Sequence, residues 1–178
     1  MISQAQHDSL RAKYSPDGSL LRRQQERMLE ILCEIDRVCK KHAISYWLSS
    51  GTLIGAARHG GFIPWDDDLD IEMMREDYDR LMKVLPGELP STMALQTHET
   101  DPTYFFYYAK IRDRRSLLAE GNKYDRMWKE QGIYIDIFPL ERQPLCIHKI
   151  SENTVGHMYK IWRTCTDDSV GIKKVMRW

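Results

Sequence analysis

Trp65-Asp66-Asp67-Asp68-Leu69-Asp70-Ile71 places four carboxylates in five positions, the last of them between two aliphatic residues. Carboxylates this crowded repel one another. Leu69 and Ile71 anchor the segment as a strand with one buried face, so Asp68 and Asp70 are expected to project together from the other. Their Cα atoms would then lie roughly 6.5–7 Å apart along the strand. Two converging carboxylates are hard-oxygen ligands suited to Mg²⁺ or Mn²⁺, ions that complete their shell with water and substrate phosphates. The alternative is a solvated acidic loop or helix start ahead of Arg75.

Outward from this segment the chain reads as mixed α and β. A turn-rich stretch, Tyr14 to Ser19, precedes a helix over Leu20–Lys41. There Leu21, Met28, Leu32, Ile35 and Cys39 share one face. Ile44–Leu48 is β-prone, and Gly51–Arg58 is a short helix stopped by Gly60-Gly61. Leu69–Met73 is the acidic strand. Arg75–Leu85 reads as a helix closed by Pro86-Gly87, and Met93–Thr97 and Tyr104–Ile111 as strands. Ile133–Phe138 is a further strand, with Ile133, Ile135 and Ile137 on one face and Tyr134, Asp136 and Phe138 on the other. An Asp between two isoleucines is costly to bury unless paired or metal-bound. Asp136 therefore joins Asp68 and Asp70 as a third candidate ligand, the alternative being an edge-strand Asp facing water. The expected organisation is an N-terminal segment 1–19, a core 20–140 and a mostly helical extension 141–178.

The 178 residues suit one domain with a real core. Charge balances at 26 basic and 26 acidic residues, which removes any whole-chain argument for nucleic-acid binding. The balance hides a division. Asp66–Asp79 carries eight acids and one base, whereas Tyr104–Gln131 carries seven bases and four acids. A site taking both a metal and a phosphate would use both signs. No apolar run is long enough for a transmembrane helix, and residues 1–14 lack a signal-peptide core. Cys33, Cys39, Cys146 and Cys165 form no CxxC pair and read as ordinary buried thiols, with a reducing cytoplasm as the default.

Other motifs fail on the same residues. Counted from Asp66, an EF-hand would need Gly at position 71 and Glu at 77, where the chain has Ile71 and Asp77. No P-loop, no GxGxxG after a strand, no HExxH and no GxSxG is present.

The continuous stretch YWLSSGTLIGAARHGGFIPWDDDLDI (residues 46–71), with Ala109–Asp113 and Tyr134–Pro139, strongly resembles the LicD family of phosphotransferases. That family is related to fukutin and belongs to the nucleotidyltransferase-fold superfamily. The similar region runs from about Glu26 to Leu140. The resemblance implies an α/β (α+β) fold, a nucleotidyltransferase-like mixed sheet flanked by helices. It puts the family's glycine turn on Ser50-Gly51-Thr52, its metal-binding pair on Asp68 and Asp70, and the third carboxylate on Asp136. Asp66 and Asp67 match the stretch without an assigned role.

The implied reaction moves a phosphorylated small alcohol, typically phosphocholine, from a CDP-linked donor such as CDP-choline to a sugar hydroxyl. The acceptor would be a cell-surface glycan or glycolipid such as lipopolysaccharide or teichoic acid, and CMP would leave. Mg²⁺ (or Mn²⁺) on Asp68, Asp70 and Asp136 would neutralise developing charge. Gly51 and Thr52 would admit a phosphate to backbone N–H groups, and Arg58, Lys110 and Arg112 are candidate phosphate contacts. Trp47, Trp65 and Tyr104–Tyr108 offer rings to a quaternary ammonium, although packing is the commoner use. The expected location is the cytoplasm, near the inner membrane face. Family members usually continue past the position of Trp178, which points to a short or truncated member. Two other classes fit the acidic pair: a DxD glycosyltransferase using a nucleotide sugar, and a non-catalytic nucleotide-binding domain.

Overall fold

A computed structural model describes residues 3–119, 121 and 127–142. The chain divides into two units, Met1–Leu140 and Glu141–Trp178. The helical reading of the extension, with Cys146 and Cys165, falls from residue 143 onward outside the described residues.

In the first unit, α1 (Gln4–Tyr14) is a helix where the sequence shows only a polar segment. Its start is a capping box: the Ser3 hydroxyl accepts the Gln6 N–H, and the Gln6 side chain accepts the Ser3 N–H. Next comes α2 (Leu20–Lys41), the helix expected, capped by the Ser19 hydroxyl accepting from Arg22 N–H. Its buried face is Gln25, Met28, Ile31, Ile35, Val38 and Cys39. Leu21 and Leu32 are only half-buried, and Cys33 is exposed rather than buried.

The remaining elements are β1 (Trp47–Leu48), α3 (Ser50–His59), β2 (Asp70–Met74), α4 (Arg75–Glu88), β3 (Met93–Gln96), β4 (Ala109–Asp113) and β5 (Tyr134–Leu140). The five strands form one sheet in the order β1-β2-β5-β4-β3. β2 and β5 run parallel, and the other neighbours are antiparallel. This is the mixed sheet with helices that the sequence implies. Ile71, Met73, Ile111, Ile135 and Ile137 cover one face of it. They share the core with Met28, Ile31 and Ile35 of α2 and with Tyr78, Leu81 and Leu85 of α4. The opposite face carries Asp70, Asp136, Lys110 and Arg112, paired by register: Asp70 beside Asp136, Lys110 opposite Asp136, and Arg112 opposite Tyr134.

Two boundaries differ from expectation. The strand read over Tyr104–Ile111 begins only at Ala109. Tyr104, Phe106 and Tyr108 instead leave the sheet and pack with Trp128 and Phe138, with ring centroids 4.5–6.5 Å apart. The helix α4 passes through Pro86 and Gly87 to Glu88. Proline there removes one donor, but the last turn is held from outside. Lys41 Nζ lies 2.6 Å from the Glu88 carboxylate, His42 Nε2 2.9 Å and Arg37 Nη1 3.4 Å.

Those partners, Lys41 first, pull the Glu88 carboxyl from its ordinary 4.5 down to about 2. A depressed folded value adds stability above the unfolded pKa and loses it as pH falls through the folded one. Glu88→Gln is therefore expected to melt lower than wild type at pH 7. In thermal melts across pH, the difference closes between about 4.5 and about 2.

Candidate functional site: an acidic segment beside the first turn of α3

The approach to β2 is built from backbone contacts. Asp66 N–H donates to Ile63 O at 3.0 Å, closing a turn over Pro64 and Trp65. Asp70 is pinned three ways. Its N–H donates to Thr52 Oγ1 at 2.9 Å, its carbonyl accepts Ser49 N–H at 3.0 Å, and Asp136 N–H donates to Leu69 O at 3.0 Å. β2 thus begins at Asp70, and Asp68 lies in the segment ahead of it. The expected pair on one strand is corrected: Asp70 sits on the sheet, and Asp68 reaches it from the preceding loop.

Negative charge crowds this corner, with Lys110 the nearby cation that acts on Asp70. Among the described residues, Asp66, Asp67, Asp68 and Asp70 make no ion pair. Burial, then the carboxylates of Asp68 and Asp136, pushes the Asp70 carboxyl up to about 6. Burial and the charges of Asp68 and Asp67 do the same to Asp66, also to about 6. Asp66 lies against Gly51, where an added Cβ would stand 2.7 Å from Asp66 Oδ2. A side chain at position 51 would make this carboxylate shift. Ser50, at the start of α3, holds φ +47°, a left-handed conformation uncommon outside glycine.

Asp136 is turned to a different partner. Its Oδ1 accepts from Lys110 Nζ at 2.6 Å, and that ammonium lies 3.4 Å from the Tyr134 ring centroid. Lys110 and Arg112, the candidate phosphate contacts on β4, are buried. Arg112 donates to the Gln96 side chain and, at 2.9 Å, to Gly132 O, with its guanidinium over Tyr134 and Trp128. Gln96 in turn donates to Asp101. The reason is placement: β4 is flanked by β3 and β5, and all five of its residues are buried. Arg58 is exposed in the last turn of α3, seven residues and about 10 Å along the axis from Gly51. Thr52 is buried and spends its hydroxyl on Asp70.

As the side chains stand, no three carboxylate, imidazole or thiol groups among the described residues form a ready ion cage. The donor chemistry nonetheless suits a divalent cation. Asp66, Asp68 and Asp70 are hard oxygens that repel one another and make no ion pair among the described residues, and Asp136, paired to Lys110, stands next to Asp70.

Sequence reasoning missed Glu72, which accepts from Ser49 Oγ and from Trp47 Nε1. It also missed Gln24 and Gln25, whose amides hold the acidic segment. Gln25 had a signal: it is a polar residue on the apolar face of α2, four positions after Leu21 and three before Met28.

Thr52→Val keeps the shape but removes the acceptor for Asp70 N–H. An unsatisfied buried donor costs about 1–3 kcal/mol, so a lower melting temperature is expected in thermal unfolding. Thr52→Ser, which keeps the hydroxyl, is expected to melt closer to wild type.

Fold and site together define an α/β domain with a carboxylate-lined corner on one sheet face, beside a glycine-containing helix start. Residues 43–163 match the family described as LicD/FKTN/FKRP, nucleotidyltransferase domain. The chain belongs to this family. It is similar to a lipopolysaccharide cholinephosphotransferase, LicD, of Haemophilus influenzae: 38% identical over 125 residues, covering 70% of this chain and 45% of that protein. An uncharacterized protein of Rickettsia prowazekii is 46% identical over 59 residues, 33% of this chain and 22% of that one. The human ribitol 5-phosphate transferase FKRP is 50% identical over 40 residues, 22% of this chain and 8% of that one. The chain thus matches less than half the length of each of these relatives.

Proposed function

We propose that the chain carries the catalytic corner of a LicD-type transferase. It would pass a phosphorylated small alcohol, phosphocholine in the first instance, from a CDP-linked donor to a sugar hydroxyl of a cell-surface glycan. The observation that carries this reading is the family match over residues 43–163, which spans every acidic residue of the corner. The named activity of the Haemophilus relative supports phosphocholine as the group moved and lipopolysaccharide as the type of acceptor.

In this reading Asp68 and Asp70, with Asp66 and Asp136 beside them, would hold Mg²⁺ or Mn²⁺. When bound, that ion supplies positive charge at the donor pyrophosphate. The first N–H groups of α3 have no intrahelical acceptor and would be the donors to a phosphate, beside the Asp66 carboxylate that lies against Gly51. The acceptor oxygen bonds to phosphorus as the bond from phosphorus to the CMP oxygen breaks, and CMP leaves with that electron pair. The hydroxyl proton passes to a carboxylate of the corner; Asp136, oriented by Lys110, is our assignment. The donor is met in the cytoplasm; among the described residues no helix is long and apolar enough to cross a membrane.

The test is CMP release from CDP-choline in the presence of lipopolysaccharide, with and without Mg²⁺, for wild type and Asp68→Ala. Release that requires Mg²⁺ and is lost in the variant supports the assignment. A variant that keeps the wild-type rate, or release of a nucleoside diphosphate from a nucleotide sugar instead, overturns it.

A further inference from the structure

The acidic segment is held by the side-chain amides of two consecutive residues of α2. Gln25 Nε2 donates to Asp66 O at 2.8 Å and to Ile63 O at 3.3 Å, and Gln24 Nε2 donates to Asp67 O at 2.7 Å. These contacts join residues about forty positions apart and engage three carbonyls within five residues. With its carbonyl committed to α2, Asp66 places its carboxylate against Gly51 on α3.

The donors are neutral, and that choice has a consequence. A lysine or arginine reaching the same carbonyls would also pair with Asp66 or Asp68 and offset the charge a cation must find. An amide fixes the backbone and leaves the carboxylates uncompensated. Gln25 is also 1% exposed on a face otherwise made by Met28, Ile31 and Ile35. Its Oε1 has no partner among the described residues, so a buried amide is kept there at a cost, with only its NH₂ in use.

We infer that Gln24 and Gln25 are positioning residues, which fix the backbone of residues 63–67 and thereby set how tightly the acidic corner takes a divalent cation. The inference rests on the metal-dependent reading above. Gln25→Met keeps the length and removes the donor; Gln24→Ala removes the second. Ile35→Val is the control, because it trims the same helix ten residues, about 15 Å along the axis, from Gln25.

The experiment is Mn²⁺ titration of the full chain followed by electron paramagnetic resonance, with a thermal melt of each variant. The double glutamine variant is expected to bind Mn²⁺ about tenfold more weakly or worse, the scale of outer-shell effects on metal sites. Ile35→Val should keep wild-type affinity while melting lower. In turnover, the glutamine variants should raise the KM for Mg²⁺ by a larger factor than they lower kcat. Unchanged Mn²⁺ affinity in the double variant, or an equal loss in Ile35→Val, overturns the inference while leaving the transferase reading in place. Should the wild type bind no Mn²⁺, the metal reading falls, and amide hydrogen exchange over residues 64–70 decides the glutamines. Faster exchange in the variants retains their positioning role, and unchanged exchange removes it.

Discussion

Asp70→Asn is expected to lose CMP release by at least about a hundredfold, the scale of removing an electrostatic element of a transfer site, and to melt higher than wild type without metal. Activity and stability move in opposite directions because the carboxylate is carried at a cost. Its pKa is pushed from 3.8 up to about 6 by burial, then by Asp68 and Asp136. A carboxyl with a raised folded value weakens the fold as pH climbs from its unfolded pKa to its folded one, and the penalty is complete above that. The side chain is only half-buried, so solvent screening reduces the full shift to about 1–2 kcal/mol at neutral pH. For a chain of this size that is about 2–8 °C in melting temperature. Melts in EDTA at pH 7.5 and pH 3.5 check it: the variant should lead at the first and match wild type at the second. A variant that melts lower in EDTA at pH 7.5 would show that the crowding costs nothing.

Gly132→Ala should have the largest effect on folding. A Cβ there would stand 1.6 Å from Asp113 O, 2.7 Å from Asp113 C and 3.2 Å from Ser116 O. The first two atoms are backbone of β4, and the neighbouring contacts leave little slack. Asp113 N–H donates to Ile133 O at 2.8 Å, Ile133 N–H to Ser116 Oγ at 3.0 Å, and Arg112 to Gly132 O. Relieving the clash means parting β4 from the entry to β5 and breaking the buried arginine's bond. The expected loss exceeds about 4 kcal/mol, a large share of an ordinary domain's stability. Soluble yield and thermal melts measure it. Gly87→Ala is the matched control: no atom lies within 4 Å of its added Cβ, and alanine suits a helix better than glycine. If Gly132→Ala melts within a few degrees of wild type, the close packing of 112–116 on 131–133 is not as tight as described.

How far the chain could be read in advance varies with what decides each element. The helix α2 and strands β2 and β5 announce themselves, since aliphatic spacing dictates which faces are buried. Asp70 and Asp136 were legible for the same reason: a charge between isoleucines or leucines is conspicuous. The burial of Lys110 and Arg112 was not legible, because it follows from where a strand sits in the sheet. The order that makes β4 internal is a long-range fact with no local trace. Tyr104–Tyr108 has strand composition, yet its rings find better contacts with Trp128 and Phe138 off the sheet. Pro86 looked like a helix stop because the ion pairs that secure the next residues come from α2. The run of four aspartates marked the segment but not its arrangement, which depends on Gln24, Gln25 and Thr52 outside it.

The sheet order also bears on synthesis. Among the described strands β5 is the last made, yet it inserts between β2 and β4. A nascent chain that has emerged only as far as Gln131 holds two separate hairpin halves with open inner edges. Asp70 meets its neighbour Asp136 only when this keystone arrives. Until β5 has emerged the acidic corner is incomplete, and the open strand edges need shielding from other chains.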